Sequence, residues 1–533
     1  MEARLRGRAQ AELRLFDETE RIPQSVATMR LLMMSLVLVG GSLGALAQTN
    51  APTEVRTLSM QDSIQMALQH NLDLQIDRYN PVFSLYALRG DYGVYDPSLF
   101  LSGQQNHNEA GSQLLGGGFF VPGSTTDDTS FNGSLGGQTP WGMTYNLQGN
   151  ASDTTGQSFG VDTNGTLQAR PFGNSSGSAS VNVVQPLLKN LWIDTARLNI
   201  SVAKNRLKYS QLGLKQAILN TVTAVEQAYY DLIYDRENVT VQEKAVELAT
   251  QLVVENKKRV EVGALAPLDA KQAEAQAASS QAALIAAKST LEIQEHLVKQ
   301  LITDQYAEWA NIRPVPSGTL AAPRQFFDLQ DSWSKGLAQR PDLLQAKLDV
   351  EKQGIQLKFS HNQLFPELDV FGTYGYNGSG SVFSGAFNDI QQMNRPFYTV
   401  GGRITVPLGN TVARNNYKSD KVTLKQLVLT LKKLEQTIMT TIDNDIKQAQ
   451  SSYQQVSATR AAREYAAEAL DAEQKKLESG KSTTYTVLQM QRDLTTARGN
   501  EIQALATYNK ALAQLSLDEA STLQRLGINV EVK

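Results

Sequence analysis

The sequence predicts an α+β chain built from two pseudo-equivalent halves, each setting long helices around a strand-rich patch. Three observations carry this. "MQDSIQMALQHNLDL" (60–74) aligns with "LQDSWSKGLAQRPDL" (329–343) at an offset of 269, which also superimposes Pro97 on Pro366, Leu99 on Leu368 and Gly103 on Gly372. Further along the offset becomes 217, matching Ala196-Arg197 to Ala413-Arg414, Asn199 to Asn416, Glu261 to Glu478, Gly263 to Gly480 and Gln272 to Gln489. Between these matches, residues 98–187 turn rich in Gly, Ser, Thr and Asn, with short alternating runs. A repeat of roughly two hundred residues is too long for a solenoid unit of about 20–50. The first half is longer by 52 residues, the difference between 269 and 217, and the excess lies within that patch.

Taken from the N-terminus, residues 1–28 are charged and fit no signal n-region; Met29 is the expected true start. Met29-Arg30 precedes an apolar run, Leu31 to Leu46, ending in Ala45-Leu46-Ala47, so 29–47 reads as a secretory signal peptide cleaved after Ala47. Beyond Ala47 no window approaches the roughly 18 apolar residues of a transmembrane helix. The mature chain therefore leaves the cytoplasm either soluble or as a barrel. Net charge is −3, which gives no basic footprint for nucleic acid. The chain has no cysteine, so disulfides, thiolate metal sites and a cysteine nucleophile are excluded. Its four histidines (His70, His107, His296, His361) have no partner at ligand spacing, and no cofactor or metal is expected.

The first repeat (48–302) opens with a helical pattern from Ser59 to about Arg89, ended by "YDPSLFLSG" because Pro97 restricts the residue before it. Strands follow over about 98–187. In "FNGSLGGQTPWGMTYNLQG", Phe131, Gly133, Leu135, Met143, Tyr145 and Leu147 share one face, and "QTPWG" is short enough for a hairpin. About ten residues, apolar on one face and polar on the other, is what a transmembrane barrel strand requires, although a soluble sandwich alternates likewise. From Ala196 to Val262 one helix is expected, about 100 Å long. Ile218, Val222, Val225, Tyr229, Leu232, Val239, Val246, Val253 and Val260 repeat every 3.5 residues, as in a coiled coil. A second stripe (Leu219, Tyr230, Ile233, Ala245, Leu248, Leu252) calls for neighbours on two sides. Gly263 suits a left-handed helix end and Pro267 a helix start. An alanine-rich helix returns over 268–302. Residues 303–326 read as a linker, and the second repeat (327–520) follows. It has a helix over about 329–364, strands over about 368–377 and 398–408, a helix over about 413–478, a turn at Ser479-Gly480-Lys481 and a helix over about 484–518. Residues 521–533 are left as a C-terminal tail.

In order, spacing and duplication the chain resembles the TolC family of outer-membrane efflux proteins over about 58–520. The residues that carry the resemblance include "LSMQDSIQMALQHNLDL", "YDPSL", "QPLLKN", "VGALAPLDAKQAEAQ", "FPELDVFGTYGY", "GGRITVPLGN" and "LESGKSTTYTVLQMQRDL". The resemblance implies an α+β membrane protein in which a homotrimer shares one outer-membrane β-barrel that continues into a long α-helical, coiled-coil periplasmic tunnel. It implies the exit duct of a tripartite efflux or type I secretion system, joined through a periplasmic adaptor to an inner-membrane pump of RND or ABC type, and no enzymatic activity. A secreted coiled-coil scaffold or adhesin with a small β-domain is the alternative. Physics supports the duct independently: half a dozen strands cannot close a wide barrel, and open edges cannot lie in lipid. Members usually place four strands per protomer, two from each half. Whether the 52-residue excess adds two barrel strands or forms an extracellular hairpin above the barrel is open at this point.

The resemblance assigns adaptor docking to the tips, Val262, Gly263 and Ala264 with Ser479, Gly480 and Lys481; the bland reading makes the glycines helix caps only. A familiar member closes its aperture with a tyrosine three residues before the second-tip glycine, an arginine two after, and aspartates six and nine after. Here those positions hold Leu477, Ser482, Thr486 and Gln489, so that lock is absent. The aperture candidates become Asp269, Tyr485, Thr486, Gln489 and Asp493. Asp269 could ring a trimer axis as in cation channels, or be a solvated carboxylate favoured by the helix dipole.

Overall fold

The computed structural model describes residues 54–115, 119–161 and 166–529. The expected signal peptide with Ala47, the upstream extension 1–28 and the triple glycine at 116–118 lie outside the described residues. Strand β1 (Glu54–Leu58) leads into three short helices, α1 (Met60–His70), α2 (Leu72–Asp77) and α3 (Tyr79–Asp91), where the sequence pattern suggests one. The breaks have local causes. Asn71 is in extended geometry and its side chain caps α2 by accepting from the Leu74 amide, while Ser59 and Asp62 form a reciprocal capping box on α1. The second half repeats this: the expected helix over 329–364 divides into α6 (Leu329–Gln339) and α7 (Pro341–Asn362), because Pro341 holds Arg340 extended. The duplication is visible in the packing. Ser63 and Ser332 are both buried, and so are Leu74 and Leu343, each pair 269 residues apart.

Two very long helices, α4 (Thr195–Glu261) and α9 (Thr411–Glu478), return through α5 (Pro267–Ile302) and α10 (Thr484–Asp518). On α4 the first stripe is fully buried from Ile218 to Val239, and Leu219, Ile233 and Leu252 of the second stripe are buried too. The linker is not featureless. Within it β8 (Ile312–Pro316) pairs in parallel with β1, folding the linker back on the first half. Beyond the second repeat, α11 (Thr522–Arg525) packs back on α4, with Leu523, Leu526 and Ile528 against the main apolar core.

Six strands form one antiparallel sheet in the order β10-β9-β7-β6-β5-β2: β2 (Ser98–Glu109), β5 (Thr125–Gln138), β6 (Thr144–Val161), β7 (Leu167–Pro186), β9 (Glu367–Gly380) and β10 (Pro396–Thr405). A small hairpin, β3 (Gln113–Leu115) with β4 (Phe119–Val121), joins β2 to β5. The register settles which side chains share a face. One face carries Leu99, Leu101, Phe131, Leu135, Leu147, Val181, Tyr374, Tyr398, Val400 and Ile404; the opposite face is mainly polar, with Ser102, Asn132, Ser134, Asn146, Gln148, Asn182, Ser180 and Thr373, and also carries Phe100, Phe172, Phe371 and Phe397. Towards the end of the strands away from the long helices, Gln105, Asp127 and Asp153 interrupt the apolar face, which is therefore a band.

The 52-residue excess thus contributes paired strands to the one six-stranded sheet of the described residues. The "QTPWG" turn lies at the helix end: it is closed by the Thr139 amide on the Met143 carbonyl (2.8 Å), and Gln138 Nε2 donates to Asp194 Oδ2, the N-cap of α4, at 3.0 Å. Gly142 there has φ +90°, and an added Cβ would fall 2.8 Å from Arg197 Nη2.

Where α6 and α7 meet the long helices, Arg340 Nη1 donates to Asp518 Oδ1 (2.7 Å) and Arg340 Nη2 to Asp342 Oδ2 (2.8 Å). Burial, then the hydrogen bond to Asp518 and its charge, push Asp445 up to about 7. A carboxyl raised in this way binds its proton more tightly folded than unfolded, so its contribution to stability is present below the ordinary value of 3.8 and is lost as pH rises towards 7. Thermal unfolding should accordingly show a midpoint that falls between pH 5 and pH 7.5. In Asp445→Asn that slope should flatten and the midpoint at pH 7.5 should rise; an unchanged slope would remove Asp445 as its source.

Candidate functional site

The two hairpin turns are built alike. At the first, the Gly263 amide donates to the Val260 carbonyl (3.0 Å) and the Ala264 amide to Arg259 (2.8 Å); at the second, Gly480 donates to Leu477 (3.1 Å) and Lys481 to Lys476 (2.8 Å). These are paired helix-ending bonds around a left-handed residue. Gly263 and Gly480 have φ +75° and +73°, and a Cβ at either would meet nothing within 4 Å. Glycine is needed there for its backbone alone. The helices leaving the turns start differently. Pro267 opens α5 without a side-chain cap, whereas Thr483 caps α10 by accepting from the Thr486 amide at 3.3 Å.

The tips are exposed and partly apolar. Val262 is 78% exposed, Leu268 67% and Tyr485 62%. Leu268 and Tyr485 are equivalent at the offset of 217, so each hairpin carries one large apolar or aromatic side chain on the second position of its returning helix. Leu268 is absent from the sequence-derived candidates, although that offset could have found it. Behind the tips Leu252 of α4 packs among Leu470, Leu477, Val487, Leu488 and Leu494, and Arg259 Nη1 reaches the Leu477 carbonyl at 3.4 Å. Arg492 Nε donates to Gln276 Oε1 at 2.5 Å, a second bond between the hairpins.

The aperture candidates divide between the hairpins. Asp269 is half-buried on the first turn of α5, and its carbonyl accepts from Asn256 Nδ2 at 3.5 Å. Tyr485, Gln489 and Asp493 follow one another at four-residue spacing along one side of α10, exposed, half-buried and exposed in turn. Thr486 is committed locally, its Oγ1 2.9 Å from Thr483 Oγ1. Among the described residues no hydrogen bond or ion pair joins Asp269 to Tyr485, Thr486, Gln489 or Asp493. Near the first tip Lys271 and Lys257 both bind Glu274, at 2.7 and 2.9 Å, and hold its carboxyl down to about 2. Among the described residues no cluster of His, Cys, Asp and Glu suits a metal ion, and no helix is long and apolar enough to cross a membrane.

A family model described as outer membrane efflux protein matches residues 146–302 and 333–517. The outer membrane efflux protein BepC of Brucella suis biovar 1 (strain 1330) is 24% identical over 363 residues, covering 67% of this chain and 75% of that protein. In fold the chain is similar to the CmeC outer membrane channel of Campylobacter jejuni, with a TM-score of 0.61 at 15% identity over 87% of this chain and 86% of the other. The outer membrane protein VceC of Vibrio cholerae gives a TM-score of 0.60 at 17% identity, over 89% and 97% of the respective chains.

Proposed function

The chain belongs to the outer membrane efflux protein family, of the TolC type, and from that premise we propose that three copies close one outer-membrane barrel over a periplasmic helical tunnel. The observation that carries the proposal is the six-stranded sheet, with an apolar band on one face and a mainly polar opposite face, whose edges β2 and β10 are unpaired over 12 and 10 residues. In hydrocarbon every backbone group must be paired, so such edges must find partners. Strand β2 runs away from the helices and β10 towards them, so β10 of one copy meets β2 of the next antiparallel, as throughout the sheet. Three copies then give eighteen strands, six from each. Barrels of about 16–18 strands leave an aqueous channel, here lined by the Ser, Asn, Gln and Thr face.

On this reading the duct passes solutes passively from a periplasmic adaptor and inner-membrane pump to the outside, and the protein is no enzyme. Extraction should require detergent, and the purified protein should run as a heat-modifiable trimer; a water-soluble monomer would overturn the proposal and favour the secreted scaffold. Docking falls to the tips, through Val262, Gly263, Ala264, Ser479, Gly480 and Lys481 with Leu268 and Tyr485 beside them. Gly263→Val and Gly480→Val each force a β-branched residue into the left-handed region, at about 1–2 kcal/mol. The expected result is loss of adaptor co-purification with trimer formation kept; undiminished capture by both variants would remove the tips from the interface.

Asp269 in three copies would place carboxylates around the tunnel end. Conductance of Asp269→Asn in planar bilayers should show reduced preference for cations over anions. Unchanged selectivity would leave Asp269 as a carboxylate placed for the dipole of α5. Tyr485, Gln489, Thr486 and Asp493 complete the proposed aperture, where hydrogen bonds replace the ion-pair lock of the familiar member.

A further inference from the structure

The segment between β9 and β10 folds back as a nine-residue helix, α8 (Phe383–Gln391), on the apolar face of the sheet. Two glycines make room for it. A Cβ on Gly378 would fall 1.9 Å from the Ala386 carbonyl oxygen, and one on Gly177 would fall 3.1 Å from Ile390 Cδ1. Phe383 packs edge-on to Phe131 at 6.2 Å between centroids, and the Ser379 amide donates to Asp389 Oδ2 at 3.4 Å. Ala386 is buried against the strands, yet Phe387 on the same helix is 62% exposed.

Beside the helix lies a cleft of about 580 Å³, walled by Leu101, Phe131, Ala151, Ala179, Phe387 and Ile390. That is within the range of about 300–1,000 Å³ typical of sites for small ligands. Its floor is the same face that bears Leu99, Leu135, Leu147 and Val181, and the cleft is continuous with that band. It sits where the band gives way to Asp127 and Asp153. At the same end Arg395 pairs with Asp389 at 3.3 Å. The helix is apolar towards the cleft through Phe387 and Ile390, and its one charge, Asp389, is paired by Arg395 at the boundary of the band.

We propose that the cleft beside α8 holds the acyl chain of a membrane lipid. This rests on the barrel reading, since only a membrane-facing sheet brings acyl chains to this face. The absence of cysteine makes single-label experiments clean. The full-length protein would carry one fluorescent label, at Phe387→Cys or at Leu147→Cys, in phosphatidylcholine vesicles with and without bromine on the acyl chains. Both labels should be quenched by more than half in the brominated vesicles. Adding Ala151→Phe, which fills the cleft, should at least halve the quenching at position 387 and leave that at 147 unchanged. Quenching at 147 without quenching at 387, or quenching at 387 indifferent to Ala151→Phe, overturns the acyl-chain proposal while the barrel reading stands. Quenching at neither position overturns the barrel reading with it.

Discussion

Replacing Arg525 with alanine should destabilise the helical part of the chain by about 3–5 kcal/mol, the cost of leaving a buried carboxylate without its partner. Glu226 is 1% exposed on α4, and Arg525 Nη2 donates to both its oxygens, at 2.7 and 2.6 Å. Burial raises the Glu226 carboxyl, and the charge and hydrogen bond of Arg525 oppose that rise. Removing the arginine leaves the rise unopposed. A folded-state value above the ordinary 4.5 means stability is kept below it and lost as pH rises, so the penalty should be largest near pH 7.5 and shrink on acidification towards pH 5. Denaturant unfolding at the two pH values measures it. Glu226→Gln in the Arg525→Ala background should recover most of the loss; a penalty independent of pH would mean that Arg525 acts through packing alone. The consequence for assembly follows from position. The same segment brings Leu523, Leu526 and Ile528 onto the core shared by α1, α4 and α5, so the loss would be felt where the tail docks on the first half.

The second large effect concerns the strands that enlarge the first half. Excising residues 125–161 removes β5 and β6 and joins two loops at the same end of the sheet, leaving β2 to pair with β7. The register favours this. Odd-numbered residues of β2 and of β7 face the same side, so an antiparallel pair can form without turning either strand over. Each chain would then supply four strands, and a three-chain barrel twelve. Because barrel diameter grows roughly linearly with strand number, the barrel should narrow by about a third. The excised protein should still form trimers, and particle images should show the narrower ring. An unchanged diameter would place the β5–β6 hairpin outside the barrel wall.

Much of the helical architecture was legible because its signals are local and strong. The spacing from Ile218 to Val239 marks a buried stripe, and Gly263 and Gly480 mark turns whose backbone only glycine adopts without strain. The strand number was not, because the alternation over 131–148 marks β5 and β6 as a hairpin without saying which neighbours they pair with, and their small polar residues carry no such signal. Only pairing over 12 to 18 residues per neighbour supplies it. The helix α8 is likewise set by non-local contacts: it exists where Gly177 and Gly378 leave space on the sheet, which no reading of 381–395 alone reveals. Glu226 is readable from its place in the sequence. It sits among Val222, Val225 and Tyr229, and a charged residue inside an apolar stripe needs a partner; that partner is 299 residues away. The departure from the familiar lock is legible from Leu477, Ser482, Thr486 and Gln489, while the bonds of Thr486 to Thr483, the N-cap of α10, are visible only in the folded chain.

The central claim is that six strands of each chain join edge to edge into one membrane barrel. Single-particle reconstruction of the full-length protein in lipid nanodiscs tests it most directly. The account predicts a three-fold closed barrel of eighteen strands, with β10 of each chain antiparallel to β2 of the next. A barrel of twelve strands with β5 and β6 outside the wall, or a single chain whose sheet edges stay open, would contradict it.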